Sequence, residues 1–443
     1  MRLIAGLFAV LISSSVFAQD LSIKADAAMN QAHSLLWEKF MSPYSFLYDY
    51  VGDHPTAKDC AQGRPNAIGW WSPIENGAMF TGLYLSAVCK RAERTKSETD
   101  RERARLLAQG LLRCAPVEAP GFVSRGVAAD GKSYYPIGSE DQTAPWFHGL
   151  WRFLQTDIPT AEERELITDR LVEMAEALES NAWRCPCTGS FAKEYRGDFR
   201  GGRFLVAPCY LFMLRATYEL TGDKIWLDRY QTALREVPPL RKDVDLQSDA
   251  QSDGNRSRLE ICAEGFPPDE KWLPNITQNF AWIYVKCQYA LWELERLETD
   301  ASVRDGYRKG LQISADACRT AIKKAFDFQN DESKLNENQR LFGSDWRKVY
   351  SDWEEQKTLK DVMRVQGRRN NALFGARKGY ERTFVTNPMA CAAIVGIASR
   401  PEDKTLIESA VAHYDYSRMR LSEFFYACIG YEFVYEPETP FVR

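Results

Sequence analysis

Histidine is nearly absent from this chain, at four in 443 residues. So small a supply works against a centre built from several imidazoles, whether a His-rich metal site or a multi-histidine acid–base relay. Charge of one sign is not in excess either. The net charge is −4 with no basic run or basic helix face, which argues against a nucleic-acid or membrane-surface partner. Later than the N-terminus no stretch reaches about 18 uninterrupted apolar residues, so no membrane-spanning helix is expected. Signals for β-strands are sparse.

Cysteine is more plentiful, with eleven. Cys89, Cys209, Cys287, Cys391 and Cys428 fall in apolar helical stretches, where a free thiol is usually a small buried hydrophobe. Cys60, Cys114, Cys185, Cys187 and Cys262 fall in connections, where an oxidising compartment permits one or two bridges of undefined pairing. Cys185-Pro186-Cys187 has no second close pair to complete a tetrahedral site. Neither a metal nor another cofactor is expected.

What the chain has is an alternation of apolar and amphipathic helical stretches. The apolar members are Pro73 to Cys89, Asp141 to Gln155, Arg203 to Leu220, Ile276 to Glu295, Phe384 to Ser399 and Leu421 to Val434. The charged partners are Ala25 to Phe40, Ser97 to Arg113, Ala161 to Ser180, Lys224 to Arg235, Ala301 to Phe326 and Glu402 to His413. A helix that is apolar all round must be covered on all sides, which an inner ring of helices inside an outer ring provides. The expected fold is therefore all-α, an (α/α)6 toroid forming one domain over residues 19–443. The long stretch Asp327 to Arg382, with Trp346, Trp353 and four arginines between Arg364 and Arg377, is either a lid or an extra hairpin that makes the ring sevenfold.

Three helix starts carry the capping-box pattern: Ser72-Pro73-Ile74-Glu75, Ser139-Glu140-Asp141-Gln142 and Thr160-Ala161-Glu162-Glu163. At the N-terminus, Met1-Arg2, an apolar run to Ile12 and the small-residue end Val16-Phe17-Ala18 read as a secretory signal over residues 1–18. The mature chain is expected to be exported, periplasmic or extracellular.

Connections ahead of the apolar helices hold the unusual residues. Trp70 and Trp71 are suited to stacking on sugar rings, or else plug the ring end. Glu75 is either the third residue of a capping box or a catalytic carboxylate, and Asn76 opens a buried helix where an amide must find a partner. Arg125, Tyr134, Tyr135, Asp141 and Gln142 form a second polar cluster. Asp141 and His148, two helical turns apart, share a face. Asp141 also suits the helix dipole without any function, and a lone His on an apolar helix is more often a core residue. Arg196, Arg200 and Arg203 are carboxylate clamps or surface ion pairs, while Glu264 and Trp272 precede the fourth apolar helix.

With Trp70-Trp71, Glu75-Asn76-Gly77, Phe122 to Gly126 and Ser139 to Gln142 in view, the chain resembles the bacterial α/α-toroid carbohydrate-active enzymes, the polysaccharide lyases and, more distantly, six-hairpin glycosidases. The paired aspartates of unsaturated glucuronyl hydrolases and the several catalytic His of sugar 2-epimerases are missing. The resemblance implies cleavage of an acidic, uronate-containing polysaccharide or oligosaccharide by β-elimination. Asn76 would neutralise the substrate carboxylate, His148, Tyr134 or Tyr135 would remove a proton, and Arg125 would assist; Gln142, Arg203, Glu264 and the tryptophans would bind substrate. An inverting hydrolase would instead use two of Glu75, Asp141 and Glu264, about 6.5 to 9.5 Å apart. A non-catalytic glycan-binding toroid would need only the tryptophans.

Overall fold

The computed structural model describes residues 2–62, 73–238, 255–266, 281–331, 356–364 and 376–435, with side chains from residue 19 on. It is mostly helical, and the apolar and charged helices alternate along the chain. The charged set is α1 (Arg2–Lys39), α4 (Glu98–Cys114), α6 (Ala161–Ser180), α8 (Lys224–Arg235), α11 (Ala301–Arg319) and α14 (Lys404–His413). The apolar set is α3 (Gly77–Thr95), α5 (Glu140–Leu154), α7 (Ala207–Thr221), α10 (Ala281–Leu297), α13 (Asn387–Ile397) and α15 (Phe425–Val434). Short helices α2 (Ala57–Ala61), α9 (Arg258–Glu264) and α12 (Ala376–Glu381) lie in connections.

Burial follows the alternation. Every residue of α13 and nearly every one of α5 is buried, whereas α6 buries only Ile167, Leu171, Met174, Ala175 and Leu178, one face at helical spacing. The apolar helices pack on one another in chain order: α3 on α5, α5 on α7, α7 on α10, α10 on α13, α13 on α15, and α15 back on α3. Their charged neighbours pack on them, α4 on α3 and α5, α8 on α7, α11 on α10 and α13, and α1 on α14 and α15. The approach of α3 to α5 depends on glycine, because a Cβ on Gly149 would strike the Gly82 backbone and one on Gly82 would strike the Pro145 carbonyl.

One strand pair interrupts the helices. Strands β1 (Arg184–Pro186) and β2 (Tyr195–Asp198) pair antiparallel, Arg184 opposite Asp198. All eleven cysteines are buried and free, those of Cys185-Pro186-Cys187 among them. No helix is long and apolar enough to cross a membrane among the described residues.

The helix at Ser72-Pro73-Ile74-Glu75 starts later than its pattern indicates. α3 begins at Gly77 with Asn76 as its N-cap, so Glu75 lies ahead of the helix and does not take the third capping position. At α5 the N-cap is Ser139, but its side chain makes no capping bond. Only the box at Thr160 forms as written, Thr160 accepting from the Glu163 N–H while the Glu163 carboxylate accepts from Thr160.

Candidate active site

The N-terminal ends of the apolar helices meet in one buried, charged cluster. Asp49, in the segment after α1, anchors it through its main chain, donating to the Pro73 carbonyl (2.7 Å) and accepting from the Ser422 N–H (3.0 Å). Its carboxylate accepts from the Asn76 N–H (2.8 Å) and side-chain amide (2.7 Å). The Asn76 carbonyl oxygen accepts from Arg125 and Gln142, each at 3.4 Å. Arg125 also donates to the Glu75 carbonyl (2.9 Å) and the Ser139 hydroxyl (3.3 Å). Gln142 accepts from the Met79 N–H (3.0 Å), so α3 is capped by a side chain from α5. Asn76 thus spends its amide on Asp49 and its carbonyl on Arg125 and Gln142.

Glu75 is the outlier. It is buried at 6% exposure, and its Oε2 has no hydrogen-bond partner. Burial pushes its carboxyl up, against the charges of Lys378, Arg125, Arg382 and Arg196, and it settles at about 7. Burial and the Glu75 charge also carry Asp49 well above the ordinary carboxylate range, against the Asn76 bonds. Arg125 is lowered to about 10 by burial and by Arg196.

Asp141 is held the other way. Burial favours its neutral form, but the Lys286 ammonium of α10, through charge and a direct ion pair, outweighs that, with Arg196 and Arg125 adding to it. The result is a carboxylate ionised below the usual range, its side chain 29% exposed while that of Lys286 is 2% exposed. Its neighbour Glu140 is raised by burial and by the Asp141 charge. The Arg196 charge bears on both carboxyls, and the next residue, Gly197, at a φ of +92°, packs so close to the Glu140 carboxylate that a Cβ there would strike it.

The last wall comes from a π turn at Arg382–Thr386, a distortion that re-aims side chains and is frequent at functional sites. Arg382 (2.9 Å) and the Thr386 hydroxyl (2.6 Å) both donate to Glu423, just ahead of α15. Arg382 also lies over the Trp282 ring, 5.0 Å from its centre.

His148 is elsewhere. Two turns down α5 from Asp141, it contacts the Ser86 hydroxyl (3.3 Å), faces Glu293 of α10 (3.6 Å) and stacks on Tyr289 (4.5 Å between centres). Burial holds its imidazole below the ordinary range, against the pull of Glu293. The seven-residue spacing of Asp141 to His148 matches that of Lys286 to Glu293, so α5 and α10 face each other through two successive polar pairs.

The structure therefore brings together Glu75, Asn76, Arg125, Asp141 and Gln142, and Arg196 with them. Tyr134 instead packs on Phe122 (5.5 Å) with Glu118 beside its hydroxyl, and Tyr135 is buried in the main core. Arg203 is buried ahead of α7, its carbonyl accepting from Val206 and Ala207. Arg200 pairs with Glu236 (3.5 Å), and Glu264 pairs with Arg256 at the surface. Trp70, Trp71 and Trp272 lie outside the described residues, as does most of the Asp327 to Arg382 stretch. Asp49, Lys286, Lys378, Arg382 and Glu423 were not singled out from the sequence. The isolated charges Lys286 and Glu423 inside otherwise apolar segments were the available signal, since a buried charge requires a partner.

Among the described residues no group of three or more His, Cys, Asp or Glu side chains could hold a metal ion. Two cavities of about 510 and 500 Å³ open at the opposite, C-terminal ends of α7 and α10, beside Tyr218 and Glu298 and beside Trp292 and Ser399. Compared with known protein families, with curated proteins and with solved structures, the chain matches none.

Proposed function

We propose that the apolar helices form the inner wall and the charged helices the outer wall of one α/α toroid, and that this protein cleaves glycosidic bonds of an acidic saccharide at the N-terminal mouth of the inner wall. Supporting the substrate class, the mouth carries Arg125, Arg196, Lys286, Lys378 and Arg382 beside helix N-termini, and both favour anionic groups. The observation that carries the chemistry is the pair of carboxyls pushed apart in one cluster, Glu75 to about 7 and Asp141 below its ordinary range. Such a divergence assigns roles. Glu75 protonates the leaving oxygen, and Asp141 activates water, which is the division of labour of a glycoside hydrolase.

β-Elimination is the second reading, favoured by the unpaired Oε2 of Glu75 among cations that would neutralise a uronate carboxylate. In that case the proton is taken by ionised Glu75 rather than by His148 or Tyr134. We further propose that residues 1–18 direct export of the chain, so that the enzyme meets its polymer in the periplasm or outside the cell.

The test is a panel of uronate polymers, followed both by absorbance of unsaturated ends and by new reducing ends. Glu75→Gln is expected to lower turnover by about 10²- to 10⁴-fold, the usual contribution of a positioned acid or base. New reducing ends without absorbance support hydrolysis, and rising absorbance supports elimination. Binding without either product, or undiminished turnover in Glu75→Gln, overturns the assignment.

A further inference from the structure

α11 gathers like charges on one face. Arg304 and Arg308 are four residues apart and Gln312 follows at the same interval, a spacing that sets the three side by side along the helix. Guanidinium groups so placed repel, and Arg296 of α10 adds a third charge across from them. All three arginines line the cavity of about 500 Å³ where α10, α11 and the end of α13 meet, with Leu311 and Ile397 as apolar wall. Glu295 is the one carboxylate of that lining among the described residues, and it accepts from Arg308 (2.7 Å), which also donates to Asp305 (2.8 Å).

Arginines at helix C-termini commonly take the last carbonyl groups. Here those groups are filled from elsewhere. The Leu297 carbonyl ending α10 accepts from Arg215 (2.7 Å). At the end of α13 the Gly396, Ile397 and Ala398 carbonyls accept from the Ser399 N–H (2.8 Å), the Ser399 hydroxyl (3.4 Å) and Gln312 (3.4 Å). Arg296 lies over the Trp292 ring, 4.5 Å from its centre. The half-buried Arg304 is left, its guanidinium meeting no acceptor among the described residues. The neighbouring cavity of about 510 Å³ is balanced instead, with Glu219, Glu298 and Asp300 against Arg215, Arg235 and Arg296.

We propose that the cavity beside Trp292 binds an oxyanion, the carboxylate or phosphate group of a small molecule, on the Arg304 fork, with Arg308 and Arg296 adding charge. A planar guanidinium takes two oxygens of either group at once, and a bound anion relieves the repulsion along α11. The volume falls within the range of small-molecule sites, and Leu311 and Ile397 offer the rest of the ligand an apolar face. The site lies at the C-terminal end of α10, away from Lys286 and Asp141, and stands whether or not Glu75 transfers a proton.

The experiment uses the full chain and reads binding, not turnover. The indole N–H resonance of Trp292, identified as the one missing in Trp292→Phe, is followed by ¹⁵N NMR while glucuronate or inorganic phosphate replaces chloride. Ionic strength is held constant, so that a shift reports binding and not screening. A saturable shift is expected: with glucuronate alone it assigns a sugar acid, with phosphate alone a phosphorylated ligand, and with both the oxyanion itself. Arg304→Gln is expected to weaken binding by about tenfold or more, the loss of a charge-assisted contact, while Arg235→Gln in the neighbouring cavity leaves it unchanged. If circular dichroism shows that Arg304→Gln does not fold, Arg304→Met carries the same expectation. No saturable shift with either anion, or an equal affinity in the folded Arg304 variant, overturns the proposal.

Discussion

Charged and apolar helices begin in opposite ways. Ser97, Thr160, Asp223 and Asp300 each accept an N–H from the first turn of their own charged helix. Asn76, Ser139, Val206, Thr386 and Phe424, at the starts of α3, α5, α7, α13 and α15, supply no such bond. α14 is the exception among the charged helices, since its N-cap Asp403 takes Arg319 (2.7 Å) and Arg400 (2.8 Å) instead. A charged helix with an exposed start is finished locally and needs only stability. The start of α3 is finished by Gln142 of α5, and its polar groups are thereby held in a shared cluster.

Ion pairs at the two kinds of end should break with different consequences. Lys286 is buried against Asp141, whereas Arg101 meets Asp157, which is 78% exposed. Lys286→Ala is expected to cost about 3 kcal/mol, as when one partner of a buried pair is removed, and to lower turnover at least tenfold by freeing Asp141 to take up a proton. Arg101→Ala should cost less than about 1 kcal/mol and leave turnover alone. Urea midpoints and rates on the same preparations measure both, and equal costs would erase the distinction.

The pH dependence of stability sharpens it. Glu75 titrates near 4.5 when unfolded and at about 7 when folded, so between those values the folded state binds more protons. Stability is then fully present below about pH 4.5 and falls as pH rises to about 7, by about 3.5 kcal/mol at about 1.4 kcal/mol per unit. Asp49, also raised, acts in the same direction. Glu75→Gln should flatten this fall, which urea unfolding at pH 5 and pH 7.5 would detect. A wild-type protein no less stable at pH 7.5 than the Gln variant, after matching at pH 5, would contradict it.

The same division explains what the sequence disclosed. Ala161–Ser180 and Lys224–Arg235 are helical to the residue, because an amphipathic face and a local cap are both written within one segment. Residues Pro73 to Glu75 carry a cap pattern too, yet α3 starts at Gly77. Asp49 and Arg125, 27 and 50 residues away, take the groups that a local cap would have used. Glu75 and Asn76 stood out as carboxylate and amide at a buried start, but Asp49 and Lys378 became visible only through the packing that gathers them into one charged cluster. His148 shares a stripe with Asp141, and the same spacing that fixes its face sets it two turns further along α5, beside Ser86 and Glu293 rather than in the Glu75 cluster.

The smallest expected effect compares the two kinds of cap directly. Thr160→Ala removes a local capping box from α6 and should cost about 1 kcal/mol, with turnover unchanged. Gln142→Ala removes the Met79 N–H acceptor and one donor to Asn76, at a similar cost of about 1 to 2 kcal/mol. Turnover should fall with it, because Asn76 and Arg125, through which Gln142 braces the Glu75 carbonyl, would lose a fixed neighbour. Thermal unfolding gives the first pair of numbers and initial rates the second. If both variants lose the same stability and the same activity, the α3 cap is no more than a local cap built from a distant residue.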